Sequence, residues 1–315
     1  MSRTATAKPA RYTDGMARYN RVGKMPNAFI SILFILLALI AFLPLIFVFI
    51  ISVSSETSIA QHGYSFWPSE FSTSAYQELW KSRDYIGRAF LNSVGITVVG
   101  TALGLILMGT MGYAMSRRTF YLRGVYTWIV FIPMLFGGGL VATYMINTQV
   151  YHLKDSYFAL LLPGAVSSWW VIIMRTFFQT TVPDSIIESG KMDGASQLRI
   201  FAQLVIPISL PVLATIGLFL TFAYWNAWYG AMLYITTNHK ELYPLQYVLM
   251  SIERNVDFLA RREEYSSATG GLMENIPTET IRMAIVILIV LPIACSYPFF
   301  QRYFVGGLTI GSVKG

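Results

Sequence analysis

Cysteine, histidine and charge are all scarce in this 315-residue chain, which has one cysteine, three histidines and charged side chains at only 12% of positions. A lone cysteine excludes a disulfide framework within the chain. Cys295 falls inside a long apolar run, where it reads as a small buried thiol. His62, His152 and His239 stand far apart in sequence, so neither a metal site nor a catalytic dyad is supported. No serine nucleophile elbow is present. Gly306 and Gly311 have the spacing of the two glycines in a phosphate loop, but Ser312 stands where the lysine is needed, which excludes that motif. Soluble domains carry charge at about 25% of positions, so the low value points away from one.

What the chain has instead is apolar length. Hydrophobic residues make up 55% of it and the mean hydropathy is +0.53. Six runs, at 28–51, 90–115, 125–146, 156–174, 210–233 and 281–304, approach or exceed the roughly 20 helical residues that span a bilayer core. They are too long and continuous for barrel strands, and backbone polar groups inside lipid must be paired internally. The expected fold is therefore an all-α membrane protein with six transmembrane helices. The first run is longer than the core of a secretory signal and has a long leader before it, so it reads as an uncleaved span. The expected organisation is a basic N-tail at 1–27, a six-span domain at 28–304 and a tail at 305–315. External loops fall at 52–89 and 236–280, and the second, with its amphipathic stretch at 245–262, reads as a surface for a soluble partner.

Charge gives the orientation, because cytoplasmic segments keep Lys and Arg during insertion. The N-tail, the loop with Arg117, Arg118 and Arg123, the segment 175–211 and the C-tail together hold 14 basic and 4 acidic residues; the other side holds 9 and 12. Both termini are then expected in the cytoplasm. The formal net charge of +7 is this bias and indicates no nucleic-acid partner, with the basic N-tail expected near lipid headgroups.

Between the fourth and fifth runs lies a polar island, PDSIIESGKMDGASQLRIFAQLVIPISLP, at 183–211. It reads as two short helices joined at Gly194, where glycine accepts a positive φ, with Asp184 or Ser185 capping the first. The island resembles the cytoplasmic "EAA" loop of bacterial ABC-importer permeases: Glu188, Ser189 and Gly190 fall at the Glu-Ala-Ala positions, and Asp193, Gly194 and Ala195 at the Asp-Gly-Ala positions. Ser189 and Gly190 depart from alanine but keep that surface low for close docking. The ending PFFQRYFVGGLTIGSVKG, with LPGAVSSWWVIIMRTFF and LATIGLFLTFAYWNAWY, is similar to carbohydrate permeases of the maltose-transporter and oligosaccharide class.

The resemblance implies a type I ABC-importer permease in the bacterial cytoplasmic membrane, paired with a second homologous permease, two ATPase subunits and an extracytoplasmic substrate-binding protein. ATP and Mg would be bound by the ATPase subunits, with no cofactor in this chain. The chain would be a transport subunit and no enzyme. Carried over by position, Glu188, Asp193 and Gly194 would enter a cleft in the ATPase, with Ile186, Ile187 and Ala195 packing beside them.

An oligosaccharide presents hydroxyl edges and C–H faces, so its path needs amides, hydroxyls and flat rings without charge. In the fifth run Thr221, Trp225 and Trp228 fall at i, i+4 and i+7 on one helical face, with Tyr224 and Asn226 beside it; the third run adds Thr143, Tyr144 and Asn147. Trp and Tyr also gather at membrane interfaces as anchors, which leaves an interfacial reading open for Trp228 above all. Rival readings are a permease for amino acids, polyamines or phosphate, an ion-coupled carrier, and a membrane enzyme. The carbohydrate-type ending disfavours the first. No span has an ionisable group near its middle, against the second, and no His, Asp and Glu cluster sits at one membrane face, against the third.

Overall fold

A computed structural model describes residues 23–255 and 278–310, mostly in helices. Residues 1–22 of the expected N-tail, the stretch 256–277 of the second external loop and residues 311–315 lie outside the described residues. Helix α1 (Lys24–Ser52) is apolar on nearly every face and exposed over most of its length, as a helix at the rim of a bundle facing lipid would be. Short helices α2 (Glu56–His62) and α3 (Ser74–Lys81) lead into α4 (Arg83–Ser116), the central pillar, against which α8 (Ser168–Thr181) and α12 (Leu210–Trp225) pack. The last helix, α15 (Thr278–Ile310), packs on α1 and α12 and runs on past Phe304.

Glycine lets the pillar and its neighbours approach. A Cβ on Gly100 would lie 2.5 Å from the Tyr224 ring of α12, and one on Gly112 would lie 2.9 Å from Cβ of Met174 on α8. Between them, a Cβ on Gly104 would meet the Ala165 carbonyl and Leu220 at 3.0 Å. Where hydrophobic burial gives little drive, inside lipid, such small-residue seams hold helices by backbone contact. Met108, Met174, Phe178, Ile200 and Ile216 fill the space around the seam without exposure.

Among the described residues three helices, Met25–Ser52, Arg83–Ser116 and Glu279–Pro298, are long and apolar enough to cross a membrane, and the bent pair Gln197–Ile208 with Leu210–Trp225 makes a fourth if taken as one span. The other three expected spans are interrupted. The third run is broken into α5 (Arg123–Leu135) and α6 (Gly139–Met145), the latter passing into a π-helical turn at Ile146–Val150. Pro133 and the run Gly137, Gly138, Gly139 account for the break, since each glycine disfavours helix by about 1 kcal/mol and Gly139 takes φ +75°. The fourth is broken into α7 (Tyr157–Leu161) and α8 around Pro163 and Gly164. The fifth ends at Trp225, and α13 (Trp228–Tyr234) starts anew after Asn226 and Ala227. Cys295 is exposed on α15, not buried, because that helix meets its neighbours with another face.

On the outer side of the predicted topology, segments distant in sequence are joined by side-chain hydrogen bonds. The Glu56 carboxylate accepts from the backbone N–H groups of Glu279 and Thr280 at 3.0 and 3.1 Å and from the Thr280 hydroxyl at 2.9 Å, capping the start of α15. The Tyr64 hydroxyl donates to Glu279. Asn92 donates to the carbonyls of Glu241 and Tyr243, and Ser93 accepts from the N–H of Leu245, which opens helix α14 (described over 245–255). Asp155 accepts from the N–H of Thr236 at 2.6 Å.

Candidate functional site

The polar island folds as the expected hairpin, with different details. Helix α9 (Asp184–Met192) begins after Pro183, and neither Asp184 nor Ser185 caps it. Ser185 accepts from the Ser189 hydroxyl through its carbonyl, while the Asp184 carboxylate receives Nη1 of Arg117 at 3.1 Å. The end is a Schellman motif: Ala195 N–H donates to the Gly190 carbonyl and Gly194 N–H to that of Lys191, with Gly194 at φ +75°. Ser196 then caps α10 (Gln197–Ile200), accepting from the N–H of Arg199. A π-turn at Phe201–Val205 and a last turn, α11 (Ile206–Ile208), follow. At Ser209 the chain bends by 83° into α12.

Gly190 faces inward. A Cβ there would sit 3.1 Å from both Ile200 and Leu204, so the low surface expected for docking serves the hairpin's own closure. Ile187 is buried, Ile186 and Ala195 are half-buried, and Glu188, Asp193 and Gly194 are exposed. Two apolar residues that sequence reasoning passed over, Met192 at 88% and Leu198 at 77% exposure, project beside them. Their signal was an apolar side chain in an otherwise polar turn.

Arg117 anchors the hairpin to the bundle. Its side chain is only 11% exposed, and besides Asp184 it donates to the Phe178 carbonyl at 2.9 Å and the Ser116 hydroxyl at 2.8 Å, with its guanidinium over the Tyr113 ring. Phe201 of the π-turn packs on Tyr113 of α4 and on Phe178 of α8, with ring centroids 4.9 and 6.4 Å apart. The hairpin is thus wedged between the pillar and α8. A displacement of one reaches the other through rings and a guanidinium, with no loose segment between.

Nearer the other end, Thr143, Asn147, Tyr151, Leu153, Leu162 and Pro163 line a cavity of about 550 Å³. Asn147 is buried and its amide donates to the Tyr234 hydroxyl at 3.0 Å; Tyr234 in turn stacks on Tyr144 at 5.8 Å. The fifth-run residues do not gather there. Tyr224 is buried against Gly100 and donates to the Leu161 carbonyl at 2.7 Å. Trp225 is buried edge-on to Phe90 and its indole N–H donates to the Ile289 carbonyl. Thr221 is half-buried opposite Thr101, and exposed Asn226 donates to the Phe222 carbonyl. Trp228 belongs to the separate helix α13, so the face expected to join it to Thr221 and Trp225 ends at residue 225.

The chain is 36% identical over 281 residues to the Polygalacturonan/rhamnogalacturonan transport system permease protein YtcP of Bacillus subtilis, covering 89% of this chain and 95% of that protein. Protein LplC of the same organism is 36% identical over 278 residues, 88% of this chain and 90% of its own. Among solved structures, a chain from "a bacterial ABC transporter involved in the import of the acidic polysaccharide alginate" superposes with a TM-score of 0.74 at 29% identity, covering 90% of this chain and 99% of that one. Residues 111–309, which hold the hairpin, the cavity and the last helix, match the family described as "Binding-protein-dependent transport system inner membrane component". The chain belongs to that family and is the membrane-embedded permease subunit of an ABC importer, a transport component that works with ATPase and substrate-binding partners.

Proposed function

We propose that this permease imports an oligosaccharide, of the kind released from acidic polysaccharides, across the bacterial cytoplasmic membrane by alternating access. The observation that carries the reading is the cavity at Asn147, whose amide, hydroxyl and aromatic groups suit the edges and faces of sugar rings. The names of the relatives, for polygalacturonan, rhamnogalacturonan and alginate, support the acidic class. Thr143, Asn147 and Tyr151 contact sugar in this reading, whereas Tyr224 and Trp225 hold the walls and Thr221, Asn226 and Trp228 contribute from the rim. The bundle crosses the membrane six times, with the broken third, fourth and fifth runs each counted as one span. Both termini face the cytoplasm, as the charge count requires.

In this reading a second permease completes the pathway as a heterodimer, and two ATPase subunits bind ATP and Mg and receive the hairpin. Exposed Glu188, Met192, Asp193, Gly194 and Leu198 form the docking face; Ile186, Ile187, Gly190 and Ala195 are its packed base. Proteoliposomes holding the complete transporter and its binding protein test the substrate. ATP-dependent accumulation of labelled oligogalacturonides, without that of an amino acid or a polyamine, is the expected result. Tyr151→Ala, which removes one exposed ring from the cavity, should weaken uptake about fivefold, near 1 kcal/mol, and leave complex assembly intact. Accumulation of the non-sugar solutes alone would discard the carbohydrate assignment.

A further inference from the structure

The loop between α4 and α5 builds a second pocket that the transport cycle described above does not use. It has a volume of about 210 Å³ and is lined by Ser116, Arg117, Arg118, Arg123, Gln179 and Asp184. Three guanidinium groups face one carboxylate there. Only Arg117 is occupied, by Asp184, Ser116 and the Phe178 carbonyl. The guanidinium groups of Arg118 and Arg123 have no hydrogen-bond or ion-pair partner among the described residues. One helical turn before Gln179, and so on the same side of α8, Arg175 keeps a buried Nε that likewise lacks a partner among them. Three like charges with one carboxylate among them still repel, and a further anion relieves the arrangement.

We propose that this pocket holds a phosphate group, that of an anionic phospholipid. The guanidinium fork matches phosphate oxygens in pairs, which favours phosphate over a spherical anion. A lipid fits better than free phosphate because α5 rises directly from the pocket with Val125, Trp128, Ile129 and Ile132 all at least half exposed, a continuous apolar face for an acyl chain. Basic pockets at the cytoplasmic ends of transmembrane helices recognise headgroups in this way. Arg117 links the site to Asp184, the first residue of α9, so an occupied pocket braces the base of the hairpin.

Native mass spectrometry of the purified full-length permease in its complex tests this, with phosphatidylglycerol, phosphatidylcholine or inorganic phosphate added in turn. Wild type should retain phosphatidylglycerol and not phosphatidylcholine, and inorganic phosphate should displace it only in large excess. Arg118→Gln with Arg123→Gln should weaken retention about tenfold. Arg118→Lys with Arg123→Lys should recover part of it, while Lys191→Gln, elsewhere on the same face, should change nothing. Thermal unfolding of each variant identifies any loss that comes from misfolding. Undiminished phosphatidylglycerol binding by the double glutamine variant, with its fold intact, would overturn the site. Inorganic phosphate binding as tightly as the lipid would overturn the lipid assignment.

Discussion

The hairpin and the face that the predicted topology puts outside are held by opposite means. The hairpin is closed by neighbours in sequence: a Schellman turn, a serine cap, and Gly190 against Ile200 and Leu204, ten to fourteen positions away. The outer face is closed by side chains reaching across as many as 224 positions, Glu56 to Thr280 being the longest. Local closure makes a stiff unit that moves as one piece, and distant closure makes a clasp that ties separate elements and can be released one bond at a time.

Breaking the clasp should have the largest effect on stability. Glu56→Ala removes a carboxylate that satisfies two backbone N–H groups and a hydroxyl at the start of α15, a loss of about 3 kcal/mol given the strength of hydrogen bonds to charged groups. Thermal unfolding in detergent should show a clear fall in Tm, with amide exchange rising at 279–282 while the hairpin stays protected. Equal loosening of both regions would mean that they are not independent.

Two glycines sharpen the inner side of the contrast. Gly190→Val forces a side chain into a 3.1 Å gap and should destabilise the hairpin by about 1–3 kcal/mol, lowering ATPase co-purification and uptake together. Gly194→Val meets open space but must adopt φ +75°, at a strain of about 1–2 kcal/mol, and should weaken docking less. Normal stimulated ATP hydrolysis in both variants would remove the hairpin from the coupling role.

The smallest effect concerns pH. Partial desolvation pushes the Asp155 carboxyl up, but hydrogen bonds from Thr236 and the charges of His239 and Lys154 outweigh it and hold the pKa below the ordinary value. A depressed folded pKa means that the unfolded chain binds the proton more readily, so this contribution is whole above about pH 4 and is lost as pH falls through the folded value. The outer clasp should therefore slacken in acid, and a Tm profile of Asp155→Asn should lack that component.

The same division governs what was legible beforehand. Gly194, the hairpin around it and the central run 90–115 could be read because their causes are local: a backbone dihedral, a cap, a length of apolar chain. The breaks at Gly139, Pro163 and Ala227 were hidden because continuous hydropathy does not distinguish one helix from two that meet at an angle. Glu56 drew no attention and Arg117 only as one of the charges that set orientation, because their meaning lies in partners far along the chain, Thr280 and Asp184. Asn147 was visible as an amide in an apolar run, whereas its pairing with Tyr234 was not.

The corner at Ser209 has a mechanical corollary. The 12 residues of Gln197–Ile208 form an arm roughly 18 Å long at helical rise, joined to α12 at nearly a right angle. Such a crank turns a push along the membrane plane into a tilt of the upright shaft, and the Tyr224 ring on that shaft bears directly on Gly100 of the pillar. A small stroke at the hairpin is therefore geared into rotation along the bundle, where a change of angle, more than any sliding, alters the width of a channel.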